Sequence, residues 1–302
     1  MIQTHAGLFL TQHKYIRDLL SHTNMVGAKD VSTPLSTSQS LQLQDGTAPT
    51  DCSQFHSIIG SLQYLSFTCP DICFAVNKLS QFMQKPSQNH WTAIKNLLRY
   101  LKKTIFHGIQ ILKTGATALN TFSDADWAGN LDDRSSTSAY ICFLGDTPIS
   151  WKSNKQQAIA RSSAEAEYRA LANAASETQW LQILFTELGI SLPQPPMLLC
   201  DNLGATQLTF NPDKHTRMKH IQIDLHFVRD LVSQGCLQVR HVHTHDQLAD
   251  LLNKPLSQQR TRYLCNKIGL LDGSPILRGR IKDTANPGNS REAVTDTPAV
   301  NT

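Results

Sequence analysis

Residues 121–129 read T-F-S-D-A-D-W-A-G, and residues 161–168 read R-S-S-A-E-A-E-Y. The first stretch ends a β-like run on an aspartate. The second opens a long helical pattern on a glutamate. Two later stretches continue the theme. M-L-L-C-D-N at 197–202 sets Asp201 directly after an apolar run, and D-Q-L-A-D-L-L at 246–252 sets Asp250 in the last helical pattern. In α/β sheets, functional groups gather where strands end and the crevice opens. Mg²⁺ is held by a few carboxylates plus water and substrate phosphate, and two such ions can clamp both oxygens of a phosphodiester displacement. Asp124, Glu165, Asp201 and Asp250 suit that task. Each also suits a local one. Asp124 and Asp126 could begin a turn, and Glu165 stands three residues after Ser162, a capping-box spacing. Asp201-Asn202 could cap a helix, and Asp250 could face solvent.

Working outward, short β-like runs fall at 121–123, 139–144, 149–151, 197–200 and 237–242, separated by Gly, Pro, Asn and Asp. A helix fits Ser163 to Leu188 with Gly189 just past its end, another fits Ile221 to Val232, and a third begins after Thr244. Strands followed by alternating strands and helices argue an α/β layer with a mixed sheet. The first hundred residues read mostly as helices, at 15–20, from Pro70 through Phe82, and from Trp91 through Leu101, with a Ser/Thr/Pro-rich loop over 30–50. Residues 273–302 hold no aromatic residue and few large apolar groups, and are expected to be a disordered tail.

The 302 residues allow about two domains at roughly 150 residues each. The apolar share of 40%, or about 45% with glycine, is enough for a core and excludes full disorder. A net charge of +4 permits nucleic acid without demanding it. No apolar run reaches the roughly 18 residues that would span a bilayer, and the first ten residues lack a signal-peptide pattern. Seven scattered cysteines without a C-x-x-C fit reduced thiols inside a cell. The expected location is therefore intracellular, cytoplasm or nucleus, with no membrane partner.

Six segments together carry a family resemblance: S-D-A-D-W-A-G-N-L-D-D-R-S-S-T-S-A-Y, I-S-W-K-S-N-K-Q-Q, R-S-S-A-E-A-E-Y-R-A-L, L-L-C-D-N, K-H-I-Q-I-D-L-H-F-V-R and H-D-Q-L-A-D-L-L-N-K-P-L. In this order they resemble the ribonuclease H domain of copia-type LTR retrotransposon polyproteins. Upstream, G-L-F-L-T-Q-H-K-Y-I-R-D-L-L, I-I-G-S-L-Q-Y-L-S-F-T-C-P-D-I-C-F-A-V and L-L-R-Y-L-K-K-T resemble the end of the reverse transcriptase and its connection. The resemblance implies an α/β fold: a ribonuclease H-like mixed five-stranded sheet flanked by helices, preceded by a mostly helical reverse-transcriptase thumb or connection remnant. It implies units at 1–116, 117–258 and 259–302, the last a short helix and the tail. It assigns Asp124, Glu165, Asp201 and Asp250 to the metal site, with the first Asp on the central strand, the third on the adjacent parallel strand and the last on the C-terminal helix. The implied reaction is two-metal hydrolysis of the RNA strand of an RNA–DNA hybrid, with Mg²⁺ and, as an option, Mn²⁺. The implied partners are the hybrid and the rest of a retrotransposon polymerase.

Asn253-Lys254 and Lys103 depart from the usual family residues and are expected not to touch the four acids. The paired-aspartate hairpin of the polymerase lies upstream of Met1 in this family, so the chain is expected not to polymerise DNA and to be a truncated or degraded copy. Asp132-Asp133 reads as a surface loop. Lys95, Arg99 and Lys102 line one helix edge, either as a solvated face or as a stripe that tracks phosphates. Half of the 12 histidines fall between His215 and His245 without zinc-module spacing, and His245 is the candidate for assisting product release. The competing function is a catalytically silent, nucleic-acid-binding remnant.

Overall fold

The computed structural model describes every residue except 39, 114, 116, 211–220 and 278–302. The chain opens with a hairpin, β1 (Ile2–Thr4) and β2 (Gly7–Thr11), before the helices α1 (His13–His22), α2 (Cys52–Ser66), α3 (Cys73–Ser80) and α4 (Gln88–Lys103). Asp51 starts α2 by accepting from the amides of Ser53 and Gln54, and Ser87 starts α4 in a capping box with His90. The helices bury Ile16, Phe55, Leu62, Leu79, Ile94 and Leu98 in one core. The mostly helical reading of this half omits the hairpin. G-L-F-L-T is too short to be assigned by periodicity, and its partner β3 (His107–Leu112) lies about a hundred residues away.

The second half is built on β4 (Leu119–Asp126). On one side β5 (Thr137–Leu144) and β6 (Thr147–Lys155) continue as an antiparallel meander. On the other side β7 (Met197–Cys200) and β8 (Gln238–His241) run parallel to β4. The order β6-β5-β4-β7-β8 is the expected ribonuclease H-like sheet. Parallel neighbours need a crossover, which α5 (Ser163–Glu187) supplies between β6 and β7. It packs on β4 and β5 through Tyr168, Leu171 and Ala175, while Thr178 and Thr121 hydroxyls meet at 2.8 Å. Gly189 ends it at φ +71°, with Ile190 N–H reaching Phe185 O and Gly189 N–H reaching Thr186 O. The helices α6 (Leu203–Phe210) and α7 (Gln222–Ser233) complete this layer.

Register sets the site. Phe122 pairs with Leu199, so two residues on Asp124 and Asp201 come level at the C-terminal ends of adjacent parallel strands. Gly129 serves the turn after β4, because a Cβ there would lie 1.7 Å from the Asp126 carboxylate.

The C-terminal segment differs from expectation. Asp250 sits on a five-residue 3-10 turn, Leu248–Leu252, and not on the α-helix expected to begin after Thr244. Pro255 explains this, since it cannot extend a helix and restricts the residue before it. The chain then forms α8 (Gln258–Lys267) and β9 (Leu270–Asp272), which returns to pair with β3. Ile109, Ile141, Phe143, Leu251, Leu252, Leu264 and Leu270 form one core across both halves. Leu277 is buried, so folded chain continues past Gly273. The rest of the expected tail, and His215 and His220, lie outside the described residues. No helix among the described residues is long and apolar enough to cross a membrane.

Leu264 is fully buried in that joint core. Leu264→Ala is expected to cost about 2–5 kcal/mol and to leave a single urea transition at a lower midpoint. Two separated transitions would show that the halves are not joined through it.

Candidate functional site

Asp124 is 2% exposed and lies at the end of β4 among polar partners. Its Oδ2 accepts from Asn253 Nδ2 at 2.7 Å and lies 3.2 Å from Lys254 Nζ. Asp250, 4% exposed, contacts the same ammonium through Oδ1 and lies 3.0 Å from Arg260 Nη2 through Oδ2. Gln247 joins the turn that carries Asp250 to the strand that carries Asp124. Its Nε2 donates to Ser123 O at 2.9 Å.

The glutamate in this cluster is Glu167. It stands two positions after Glu165, with Ala166 between, and on a helix that spacing points side chains to opposite faces. Glu165 is the local element that its spacing allowed. Its amide donates to the Ser162 hydroxyl, and its carboxylate accepts from Arg161 N at 2.9 Å and pairs with Arg169 at 2.8 Å. Glu167 instead carries a carboxyl raised by burial and by the neighbouring Asp124 and Asp201. Ligand atoms of Glu167, Cys200 and Asp201 lie within 4.8 Å of one another. The structure therefore brings Asp124, Asp201 and Asp250 together with Glu167, while Glu165 lies on Arg169 outside this cluster.

The electrostatics follow from burial of excess negative charge. Burial, then Asp124 and Asp201, push the Glu167 carboxyl up to about 10. Burial and a hydrogen bond with Asp124 push Asp250 up to about 6, against the pull of Lys254. Asp124 goes the other way. Burial raises it, but Lys254 and hydrogen bonds with Asp250, Asn253 and Glu167 outweigh that and hold it below its usual range. In the metal-free protein Asp124 is thus ionised, Asp250 is mostly ionised at neutral pH, and Glu167 holds a proton there.

The expectation that Asn253 and Lys254 avoid the acids is overturned, since both contact Asp124. Pro255 keeps them in the turn that carries Asp250, a proximity readable from the sequence. Arg260, on α8, carried no such signal. The basic stripe has a local role in part. Arg99 and Lys102 donate to the carbonyls of Lys29 and Ala28, while Lys95 lies over the Trp91 ring. The His245 ring packs on Tyr263 and faces Asp246, and its carbonyl accepts from Arg260. His241 Nε2 lies 3.1 Å from the backbone carbonyl of Asp201. Asp133 pairs with Lys155, and Asp132 accepts from Leu43 N, as suits a surface loop.

No family model matches the chain. It is 52% identical over 276 residues, 91% of its length, to the retrovirus-related Pol polyprotein from transposon RE2 of Arabidopsis thaliana. To that from transposon RE1 of the same plant it is 54% identical over 264 residues, 87% of its length. It covers 19% and 18% of those relatives, so it spans about a fifth of their length. Among solved structures, the N-terminal RNase H domain of a Mycobacterium tuberculosis protein aligns over 50% of this chain and 98% of that one, at 15% identity and a TM-score of 0.33.

The Glu167 proton gives a signed expectation. A carboxyl raised in the fold stabilises fully below its unfolded value near 4.5, and that contribution is lost as pH rises towards 10. Metal-free protein is expected to lose stability from pH 6 to 9, by at most about 1.4 kcal/mol per pH unit for this one group. Glu167→Gln is expected to flatten the slope in thermal melts. An unchanged slope would remove Glu167 from the cluster.

Proposed function

The chain belongs to the retrovirus-related Pol polyproteins of copia-type retrotransposons, and we propose that its ribonuclease H-like half cuts the RNA strand of RNA–DNA hybrids at a site for two divalent cations. The observation that carries this reading is the meeting of Asp124, Glu167, Asp201 and Asp250 at the ends of two parallel strands and the turn beside them.

These residues fit the ions. The donors are hard carboxylate oxygens, as Mg²⁺ prefers and Mn²⁺ tolerates. The cluster holds more acid than its cations neutralise, so Glu167 keeps a proton at neutral pH. When bound, the ions would activate water for attack and neutralise charge at the leaving 3′-oxygen. Glu167 would then give up its proton, and Asp201, half-buried, would face the incoming phosphate. Asn253 and Gln247 hold the Asp124 carboxylate and its strand end in place beforehand. Choice of the RNA strand rests on contacts to 2′-hydroxyls.

The preceding residues, up to about 116, are read as the end of a reverse transcriptase and its connection. The rest of that polymerase is the natural protein partner, and the setting is inside the cell. The silent-remnant alternative gains no support from the helix edge, since Arg99 and Lys102 serve a neighbouring loop.

A labelled RNA–DNA hybrid tests this. The full chain with Mg²⁺ is expected to cut the RNA strand, leaving a 3′-hydroxyl and a 5′-phosphate. Asp124→Asn, Asp201→Asn and Glu167→Gln are each expected to lower the rate by about a hundredfold or more. Glu165→Gln is expected to retain most activity and to lose about 1 kcal/mol of stability as a weakened cap. Loss in Glu165→Gln with retention in Glu167→Gln would reverse the assignment, and no cleavage by the wild type would leave the silent reading.

A further inference from the structure

Among the described residues two cations, Lys254 and Arg260, face the acids, and they are held differently. Arg260 is anchored: its guanidinium donates to the carbonyls of His245 at 2.6 Å and Thr244 at 3.0 Å as well as to Asp250. Among the described residues the ammonium of Lys254 contacts carboxylates alone, bridging Asp124 at 3.2 Å and Asp250 in close contact. Its side chain is 33% exposed, so it has a route to solvent. The stem is flexible and the ammonium is a compact point charge.

We propose that Lys254 is a displaceable counter-ion of the metal centre, its ammonium standing between Asp124 and Asp250 where a divalent cation binds. This rests on the metal-centre reading above. In the metal-free protein Lys254 holds two carboxylates together that would otherwise repel. A divalent cation brings twice the charge and displaces it, and Lys254 swings outward. The chain's demand for metal is thereby set higher than the four acids alone would set it. Lys254 is a positioning residue with a competing role, so removing its charge should tighten metal binding, which a merely structural defect would not do.

The test uses the full chain, stripped with EDTA and without nucleic acid, titrated with Mg²⁺ by calorimetry and by thermal shift. Lys254→Met is expected to lower the Mg²⁺ dissociation constant by on the order of tenfold. It is also expected to lower the metal-free melting temperature, and adding Asp250→Asn to it should restore that temperature. An unchanged or raised dissociation constant in Lys254→Met, with wild-type binding that Asp124→Asn removes, overturns the role of Lys254 and leaves the metal centre standing. If neither wild type nor Lys254→Met binds Mg²⁺, the metal centre falls and this inference with it. Should Lys254→Met fail to fold, Lys254→Arg serves instead. Its fork is held more firmly by carboxylates and is expected to raise the dissociation constant, and an unchanged value overturns the proposal.

Discussion

Buried negative charge is the constraint on which the rest of the structure depends. A carboxylate taken out of water is costly unless it is paired, hydrogen-bonded or protonated. At the end of β4 the chain uses all three remedies. Lys254 and Arg260 pair with the acids, Asn253 donates to Asp124, and Glu167 keeps a proton. None of these contributes to a stable core as well as apolar packing would. Such an arrangement is expected where a ligand completes the charge balance.

The scaffold holds this cluster through two features. Strand register brings Asp124 and Asp201 level, and a one-residue slip of either strand would turn its aspartate to the opposite face from the other. The C-terminal segment then closes over the sheet. Gln247 joins it to β4, Leu251 and Leu252 pack under β5, and β9 pairs with β3 in the other half of the chain. The turn that delivers Asp250 is therefore held from both directions.

Much of this was legible. Asp124, Asp201 and Asp250 each end or follow an apolar run, and the strand and helix alternation pointed to the mixed sheet. Glu165 was expected in the cluster, and lies outside it, because A-E-A-E offers two glutamates. The first has capping-box spacing as well as a place in the first turn, and only helix phase relative to the sheet separates them. The N-terminal hairpin was illegible because strands of three and five residues are too short for periodicity, and the pairing of β2 with β3, about a hundred residues on, leaves no local signature. The place of Asp250 on a short turn was misjudged, although Pro255 was in view. Arg260 was hidden because its role depends on the angle at which α8 leaves that turn. Lys95, Arg99 and Lys102 looked alike in sequence, and only the fold shows the 28–30 loop beneath two of them.

The most direct test of the central idea, that Asp124, Glu167, Asp201 and Asp250 share two hard cations, is a crystal structure with Mn²⁺, read by anomalous scattering. Two peaks roughly 3.5–4 Å apart, ligated by these four residues while Glu165 stays on Arg169, is the expected result. A peak on Glu165, or none among the four acids at saturating Mn²⁺, would contradict it.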